Sequence, residues 1–196
     1  TTSWYQPDVV VVAPDYPDTV FINWGGWEEW PNISHYDIGA EEGRYLDGIL
    51  AGSMTETGVI GYTMGFPLAA ITKELDGFAL GVHEVNPDAE IIPIWTNSWY
   101  DPPAEQQAAE ALADAGADVL VNGLNSPAVA NVAESRGLWY MGYGIDASVL
   151  APTTWLGSFT YQWGDFYESQ VGAVLDGTWE PAHYYGTMSD GSQGES

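Results

Sequence analysis

The chain has 196 residues, of which 45% are hydrophobic and 16% charged, and it contains no cysteine. This length suits one large domain or two small lobes. The absence of cysteine excludes disulfides, thiol catalysis and cysteine-based metal sites. Three Lys and Arg against 28 Asp and Glu leave a net charge of −25, which excludes a basic patch for nucleic acid or an anionic membrane surface.

The same charge bears on the environment of the protein. Disorder is the first alternative, but 14% aromatic residues and regular apolar periodicity argue against it. At molar salt the Debye length falls to about 3 Å, so a folded chain tolerates a large excess of acid. We therefore interpret the composition as salt adaptation, and an acidic secreted protein from an ordinary environment is the alternative.

The opening segment gives conflicting signals. Val9 to Val12 is a β-branched run typical of a strand, and Val20 to Trp24 predicts another strand. Only a short stretch with Asp and Pro separates them, which is too short for a crossover between parallel strands. One of the two strand assignments must therefore be wrong.

From residue 37 onward, predicted helices and strands alternate. Asp37 is the predicted N-cap of a first helix that includes Ile38 and fades at Gly52. The predicted strands are Val59–Met64, Glu90–Trp95, Val119–Asn122 and Leu138–Gly142, and the helices between them begin after Pro67, Asp101 and Ser126. This alternation predicts an α/β fold with a parallel sheet covered by helices on both faces.

The last third of the chain is less regular. Trp155 to Phe159 predicts a strand, and Gly164 to Asp176 predicts a helix that ends at Gly177. The final residues, from Ser189 to Ser196, are small and polar, so we expect them to fray.

Motifs of catalysis are missing from the sequence. It has no G-x-S-x-G elbow, Walker phosphate loop, H-E-x-x-H pair or EF-hand loop. The three histidines, His35, His83 and His183, are scattered along the chain and do not have the spacing of metal ligands. We therefore predict a protein that is not an enzyme and that needs no metal or cofactor.

The loops after the predicted strands carry the most informative residues. In an open parallel sheet, ligands bind outside the carboxyl ends of the strands. These ends carry flat aromatic rings, amides and a carboxylate, in the segments Phe66-Pro67, Thr96–Trp99, Asn122–Ser126 and Tyr143–Asp146. Such groups suit a planar polar ligand, because a stacked ring is worth about 1–3 kcal/mol and amides read its edge. Each of these residues also has a purely structural interpretation, as a packing or loop-capping residue.

At these loops the chain resembles the basic membrane protein family, the purine-nucleoside-binding lipoproteins that serve ABC transporters. Nine short blocks occur in register between about Thr2 and Gly191: Glu42–Leu46 with Gly48, Gly61-Tyr62 with Phe66-Pro67, Phe78–Val82, Val85–Ala89, Trp95–Pro102, Gly116–Val119, Asn125–Ala128, Trp163-Gly164 and Val174–Trp179. The block Trp95–Pro102 is the most distinctive of them.

The resemblance implies a type I periplasmic-binding-protein-like fold with two lobes, of which the first is incomplete. Residues 1–36 and 146–178 would belong to the first lobe, residues 37–145 would form the complete second lobe, and residues 179–196 would form a tail that can return to the second lobe. The opening strands of the first lobe and a lipidated cysteine would precede Thr1. The resemblance also favours a helix from Pro7 to Ala13 over the strand.

The resemblance further implies the ligand-binding residues: Phe66, Asn97, Trp99, Asn125, Ser126, Tyr143, Asp146 and Trp163. Two positions depart from the family pattern. Asn125 stands where an Asp is usual, and Gly144 stands in place of an Asp that is a candidate acceptor for sugar hydroxyls. Only Asp146 remains of that acidic pair, so a free base or another solute is an open alternative.

The implied function is an extracytoplasmic, lipid-anchored solute-binding protein of an ABC transporter. It would bind a nucleoside-like ligand, first of all a purine nucleoside, in the cleft between its lobes and deliver it to the permease. We expect a monomer that binds no nucleic acid and touches the membrane only through an anchor upstream of this chain. The alternative is a surface module on the same fold that binds carbohydrate or protein or acts as a sensor. Recognition by stacking and hydrogen bonds would serve either function.

Overall fold

The computed structural model describes residues 2–28 and 30–196, except for the side chain of Ser3. The chain divides into two compact units. The first consists of Thr1–Gly39 and Gln162–Gln193, and the second of Ala40–Tyr161 and Gly194–Ser196. The second unit extends past residue 145, the predicted end of the second lobe, and includes residues 146–161.

The helices and strands lie in this order. The helices are α1 (Gln6–Val12), α2 (Ala40–Met54), α3 (Ala69–Val85), α4 (Pro102–Asp114), α5 (Ala128–Arg136) and α6 (Gly164–Asp176). The strands are β1 (Phe21–Trp24), β2 (Ile33–Ile38), β3 (Val59–Met64), β4 (Glu90–Trp95), β5 (Val119–Gly123), β6 (Trp139–Met141), β7 (Trp155–Gly157), β8 (Phe159–Tyr161), β9 (His183–Gly186) and β10 (Gln193–Glu195). None of the described helices is long and apolar enough to cross a bilayer.

The first unit contains a parallel three-stranded sheet in the order β1-β2-β9. The valine run belongs to α1, as the resemblance implied, so the strand interpretation of Val9–Val12 was wrong. Proline in the first turn suits a helix, and Val9 is buried against Ala13 and Ile33 in a small core. Burial of one face of the run therefore outweighs its β-propensity.

The predicted N-cap at Asp37 was also wrong. Asp37 lies in β2, where its Oδ1 accepts from the main-chain N–H of Ile38 at 2.8 Å, and α2 begins at Ala40. β2 is the central strand of its sheet and pairs with both β1 and β9. Asp37 and Ile38 pair with Tyr185 and Gly186 of β9, and this ladder extends the strand past the point where the local cap signal predicts a helix.

The second unit is built on a five-stranded sheet in the order β4-β3-β5-β6-β7, with every pair parallel. Alternate residues of β5 enter two different apolar clusters: Val119 and Val121 join one, and Leu120 joins the other. Both faces of the sheet are thus covered. The α/β class predicted from the alternating pattern is confirmed.

Helices α2 and α3 pack with their backbones in close contact. A Cβ atom on Gly48 would collide with the main-chain oxygen of Phe78, and one on Gly81 with that of Tyr45. Only glycine allows this separation, because any side chain would have to push the helices apart.

The end of the chain departs from prediction in two ways. The single strand expected over Trp155–Phe159 is divided: β7 extends the five-stranded sheet, and β8 pairs with β10 in a separate two-stranded sheet. The tail does not fray, because Ser158 and Ser196 exchange main-chain hydrogen bonds of 3.3 and 3.0 Å. Backbone pairing orders the tail, and composition alone does not encode such pairing.

Candidate functional site

The order of strands in the second unit reverses beside β3. From β3 the chain crosses to β4 on one side, and from β4 it crosses back to β5 on the other side. At such a switch point the loops at the carboxyl ends diverge and leave a crevice in which ligands bind. The loops that follow β3, β4 and β5 therefore form the candidate site of this unit.

An aromatic corner, formed by Phe66 and Trp99, stands at this place. The ring centroids are 5.3 Å apart and the ring planes meet at 62°. Trp99 lies against Gly65, where an added Cβ would come within 2.6 Å of the indole. Both residues are only partly buried, so the corner is partly accessible at the switch point.

Asn97 shapes the loop that carries Trp99. It is the only described non-glycine residue with positive φ, at 55°. Asn tolerates this left-handed conformation better than most residues. The main-chain N–H of Asn97 donates to the carbonyl oxygen of Gly65 at 2.9 Å, and its side chain is exposed. The turn therefore ties the loop after β4 to the loop after β3.

Asn125 and Ser126 are engaged in different contacts. The Asn125 side chain is exposed, and its Nδ2 donates to the carbonyl oxygen of Trp99 at 3.2 Å. Ser126 is buried, and its hydroxyl donates to Glu105 Oε2 at 2.5 Å. Asn125 is thus placed beside the aromatic corner, whereas Ser126 points to the interior of the unit.

Tyr143 belongs to a buried cluster around Arg44. The Arg44 guanidinium is inaccessible to solvent, and its Cζ lies 5.2 Å from the ring centroids of both Tyr62 and Tyr143 and 4.8 Å from that of Phe159. It donates to the carboxylate of Asp47 at 2.9 Å. Burial, the electrostatics of Tyr161 and other neighbours raise the pKa of Tyr143 well above its ordinary value. The phenol therefore stays protonated and donates to Glu74 Oε1 at 3.4 Å.

A pair of carboxyl groups lies beside the same guanidinium. Burial raises the pKa of Asp47, against the opposing effect of Arg44. Burial and the Asp47 charge raise the pKa of Glu195, on β10, to about 8. Both shifts favour the protonated form of the pair.

The two remaining predicted residues are Asp146 and Trp163. Asp146 is exposed, and hydrogen bonds from Ser148 hold the pKa of its carboxyl below the usual range. Its Oδ1 accepts from the Ser148 N–H at 2.9 Å, as a turn cap does. Trp163 belongs to the first unit, where its ring contacts Trp24 and Tyr36 at centroid distances of 6.0 and 5.0 Å.

The structure thus brings together Phe66, Asn97, Trp99 and Asn125. It places Ser126 behind them, Tyr143 in the Arg44 cluster and Asp146 on the surface. Prediction from the sequence missed two buried charged residues, Arg44 and Glu105, as organisers of these loops. A basic residue three positions before an acid was a signal for Arg44, and an acid soon after the Asp-Pro-Pro cap was a signal for Glu105.

Two other kinds of site are poor candidates. A depression of about 540 Å³ lies on α4, but one helix alone supplies its whole lining, which consists of Pro103, Gln106, Gln107, Glu110, Ala111 and Asp114. No polar groups from other elements converge there, as they do in binding sites. Among residues 2–28 and 30–196, no group of His, Asp or Glu is arranged to hold a metal ion.

The parallel sheets flanked by helices define a periplasmic-binding-protein-like fold of the kind found in solute-binding proteins. The candidate site adds aromatic and amide side chains on the loops at a switch point. The sequence profile of the family described as "ABC transporter substrate-binding protein PnrA-like" matches residues 1–190. The chain belongs to this family of ABC transporter substrate-binding proteins.

Two curated relatives have similar identity to the chain. A purine-binding protein of Brucella abortus is 37% identical over 192 residues, which cover 97% of this chain and 55% of the relative. A putative ABC transporter glucose-binding protein of Haloferax volcanii is 36% identical over 191 residues, which cover 97% of this chain and 49% of the relative. The chain spans about half the length of these curated relatives.

The fold is also found in a solved structure of distant sequence. An ABC transporter solute-binding protein from Aeropyrum pernix K1 superposes with a TM-score of 0.84 at 20% identity, over 98% of this chain and 58% of that protein. At this identity the likeness establishes the fold alone.

Proposed function

We propose that the chain binds a nucleoside-like ligand, with purine nucleosides as the first candidates, and supplies it to an ABC transporter permease. The protein would act outside the cytoplasm as a lipid-anchored monomer. The observation that carries the proposal is the aromatic corner of Phe66 and Trp99, with amide groups beside it, at the switch point of the sheet.

The corner offers the two kinds of contact that a purine requires. A heterocycle stacked on one aromatic ring gains about 1–3 kcal/mol. The exposed amides of Asn97 and Asn125 supply donors and acceptors for the edge of the heterocycle. Binding of this kind requires neither a nucleophile nor a general base.

The charges of the chain favour an uncharged ligand over a phosphorylated one. Of its three Lys and Arg residues, Arg44 is buried, Arg136 pairs with Glu110 and Asp114, and Lys73 pairs with Glu41 at 2.5 Å. Phosphate groups are usually held by Arg or Lys. We therefore expect the chain to prefer a nucleoside or base over a nucleotide.

Recognition of a sugar is less well supported in this unit. Gly144 has φ 69°, and a side chain there would collide with the ring of Tyr161. Asp146 is exposed and remains the candidate acceptor for hydroxyl groups. We assign it that role as part of the proposal.

Calorimetry on the protein as its gene encodes it, with a panel of purine nucleosides, free bases and nucleotides, tests the proposal. We expect at least one nucleoside or base to bind, and Trp99→Ala to weaken that binding about tenfold, which corresponds to about 1.4 kcal/mol. Trp99→Phe keeps an aromatic face and should retain most of the affinity. Tyr100→Ala removes the exposed neighbouring ring and is the matched control.

A carbohydrate is the second candidate ligand. Aromatic rings also stack on the apolar faces of sugars, and one relative is named as a putative glucose-binding protein. Glucose and related sugars therefore belong in the same calorimetric panel. Binding of a sugar without binding of any nucleoside or base would replace the leading proposal by this one.

A further inference from the structure

Glu105 is a buried carboxylate on α4 to which the proposed function assigns no role. Its side chain is inaccessible to solvent. Oε2 accepts from the Ser126 hydroxyl at 2.5 Å, and Oε1 accepts from the main-chain N–H of Asp101 at 2.9 Å. No ion pair among the residues that the structure describes includes Glu105.

These two hydrogen bonds join the loops on either side of the candidate site. Asp101 ends the loop after β4 and caps α4, with Oδ1 accepting from the Ala104 N–H at 3.1 Å. Ser126 lies in the loop after β5, and its hydroxyl also accepts from the Ala128 N–H at 3.2 Å. Glu105 thus links the start of α4 to the start of α5.

A second set of hydrogen bonds joins the same loops at the surface. The main-chain N–H and the Nδ2 of Asn125 both donate to the carbonyl oxygen of Trp99, each at 3.2 Å. We call the whole set the loop clasp: Glu105, Ser126 and Asn125 with the main chains of Trp99 and Asp101. Asn125 directly precedes Ser126, and Trp99 is two residues before Asp101. The hydrogen bonds from Ser126 and Asp101 to Glu105 therefore restrain Asn125 and Trp99 as well.

Burial of a carboxylate costs free energy. Its charge loses hydration, and that loss is recovered only when hydrogen bonds satisfy it. An apolar side chain of similar volume would fill the same position without that cost. The carboxylate has one property that an apolar side chain lacks, because it accepts hydrogen bonds from two segments at once.

We propose that Glu105 is a positioning residue: through Ser126 and Asp101 it fixes the loop after β4 against the loop after β5 and so sets the orientation of the Trp99 ring beside Phe66. Glu105 itself touches no ligand. The effect of Glu105 on ligand affinity rests on the proposed function, whereas its effect on the Trp99 ring does not.

The orientation of Trp99 can be followed without any ligand. The chain has ten tryptophans, and ¹⁹F NMR of protein labelled with 5-fluorotryptophan gives a separate resonance for each environment. Trp99→Phe assigns the Trp99 resonance by its disappearance. We expect Glu105→Leu to shift or broaden this resonance, and Glu105→Gln, which keeps an acceptor and a polar partner for Ser126, to leave it nearly in place.

Two further variants separate positioning from general loss of stability. Leu112→Ala opens a cavity at a buried position on the same helix, so it lowers the melting temperature but should not move the Trp99 resonance. Ser126→Ala removes one bond of the clasp without opening a large cavity, so it should also shift or broaden the Trp99 resonance. This variant keeps the test possible if Glu105→Leu fails to fold. An unmoved resonance in Ser126→Ala, or an equal shift in Leu112→Ala, would overturn the proposal.

Adenosine is the probe for the functional consequence. We expect Glu105→Leu to weaken adenosine binding about tenfold and Glu105→Gln to stay within about threefold of the unmodified protein. If the unmodified protein binds no adenosine, the proposed function fails for this ligand, and the ¹⁹F result still decides whether Glu105 positions Trp99. If adenosine binds equally to all three proteins, Glu105 does not influence ligand affinity, and that part of the proposal is overturned.

Discussion

Arg44 Nη2 donates to the main-chain carbonyl oxygen of Asn122 at 2.7 Å, although the two residues are 78 positions apart in the sequence. Nη1 of the same side chain donates to the carbonyl oxygen of Gly142 at 3.0 Å. Asn122 lies near the end of β5, and Gly142 directly follows β6. One buried guanidinium therefore holds the carboxyl ends of two neighbouring strands, from which the loops with Asn125 and Tyr143 depart.

Replacement of this cation should be strongly destabilising. Arg44→Met keeps most of the apolar volume but leaves the buried carboxylate of Asp47 without its counter-ion, and loss of one partner of a buried pair costs about 3–5 kcal/mol. Urea denaturation measures the change in the free energy of unfolding. Arg136→Met is the matched control, because its pairs with Glu110 and Asp114 are at the surface and are worth about 0–1 kcal/mol. Equal losses in the two variants would contradict this account of Arg44.

The carboxyl pair beside Arg44 should make stability depend on pH. Glu195 has a folded-state pKa of about 8, above its ordinary value of 4.5, so the folded protein keeps a proton that the unfolded chain releases. The contribution of this proton to stability is complete below the ordinary value and is lost as the pH rises toward 8.

Glu195→Gln tests this dependence, because the amide stays neutral throughout. We expect its melting temperature to fall less between pH 5 and pH 8 than that of the unmodified protein. Glu90→Gln removes a charge from an exposed glutamate and is the control. Parallel pH curves for the unmodified protein and Glu195→Gln would show that the proton at this pair has no effect on folding.

Gly144 and Gly137 provide a matched pair of substitutions in one unit. They have almost the same backbone conformation, with φ of 69° and 67°. A Cβ on Gly137 meets no atom within 4 Å, whereas one on Gly144 collides with the ring of Tyr161. Gly137→Ala should therefore cost about 1 kcal/mol for backbone strain alone. Gly144→Ala should cost about 1–3 kcal/mol more for overpacking, and equal losses in urea denaturation would exclude the steric contribution.

The net charge of −25 predicts a strong effect of salt on stability. At low ionic strength the carboxylates repel one another across the surface, and at molar salt the Debye length of about 3 Å screens this repulsion. We expect the melting temperature to rise by several degrees or more from about 0.05 to 2 M KCl. A melting temperature independent of KCl would exclude salt adaptation as the reason for the acidic composition.

Where local signals and tertiary contacts agree, the sequence predicted the elements to the residue. The bounds of β3, β4 and α6 agree with the predicted ones. Gly137 and Gly177 end their helices in the left-handed conformation, as C-cap glycines do. The helix ends at Gly137 and Gly177 were therefore predictable from the sequence alone, whereas α2 continues past Gly52, its predicted end, to Met54.

The failures have a common physical cause, which is that long-range pairing overrode a local preference. Asp37 is a good N-cap residue, but its pairing with Tyr185 of β9 holds it in β2. Ser196 is in a small polar segment, but it pairs with Ser158 in the middle of the unit. The roles of Arg44 and Glu105 likewise depend on partners 21 to 98 residues away, which no spacing rule identifies.

The glycines between α2 and α3 restrict which substitutions this protein can accept during evolution. Gly48 and Gly81 each face a main-chain oxygen of the other helix, so even alanine would separate the pair. These two sites should tolerate almost no substitution, whereas the solvent-facing positions of the same helices should tolerate many. A deep mutational scan should consequently record its sharpest intolerance at these glycines in the contact between α2 and α3.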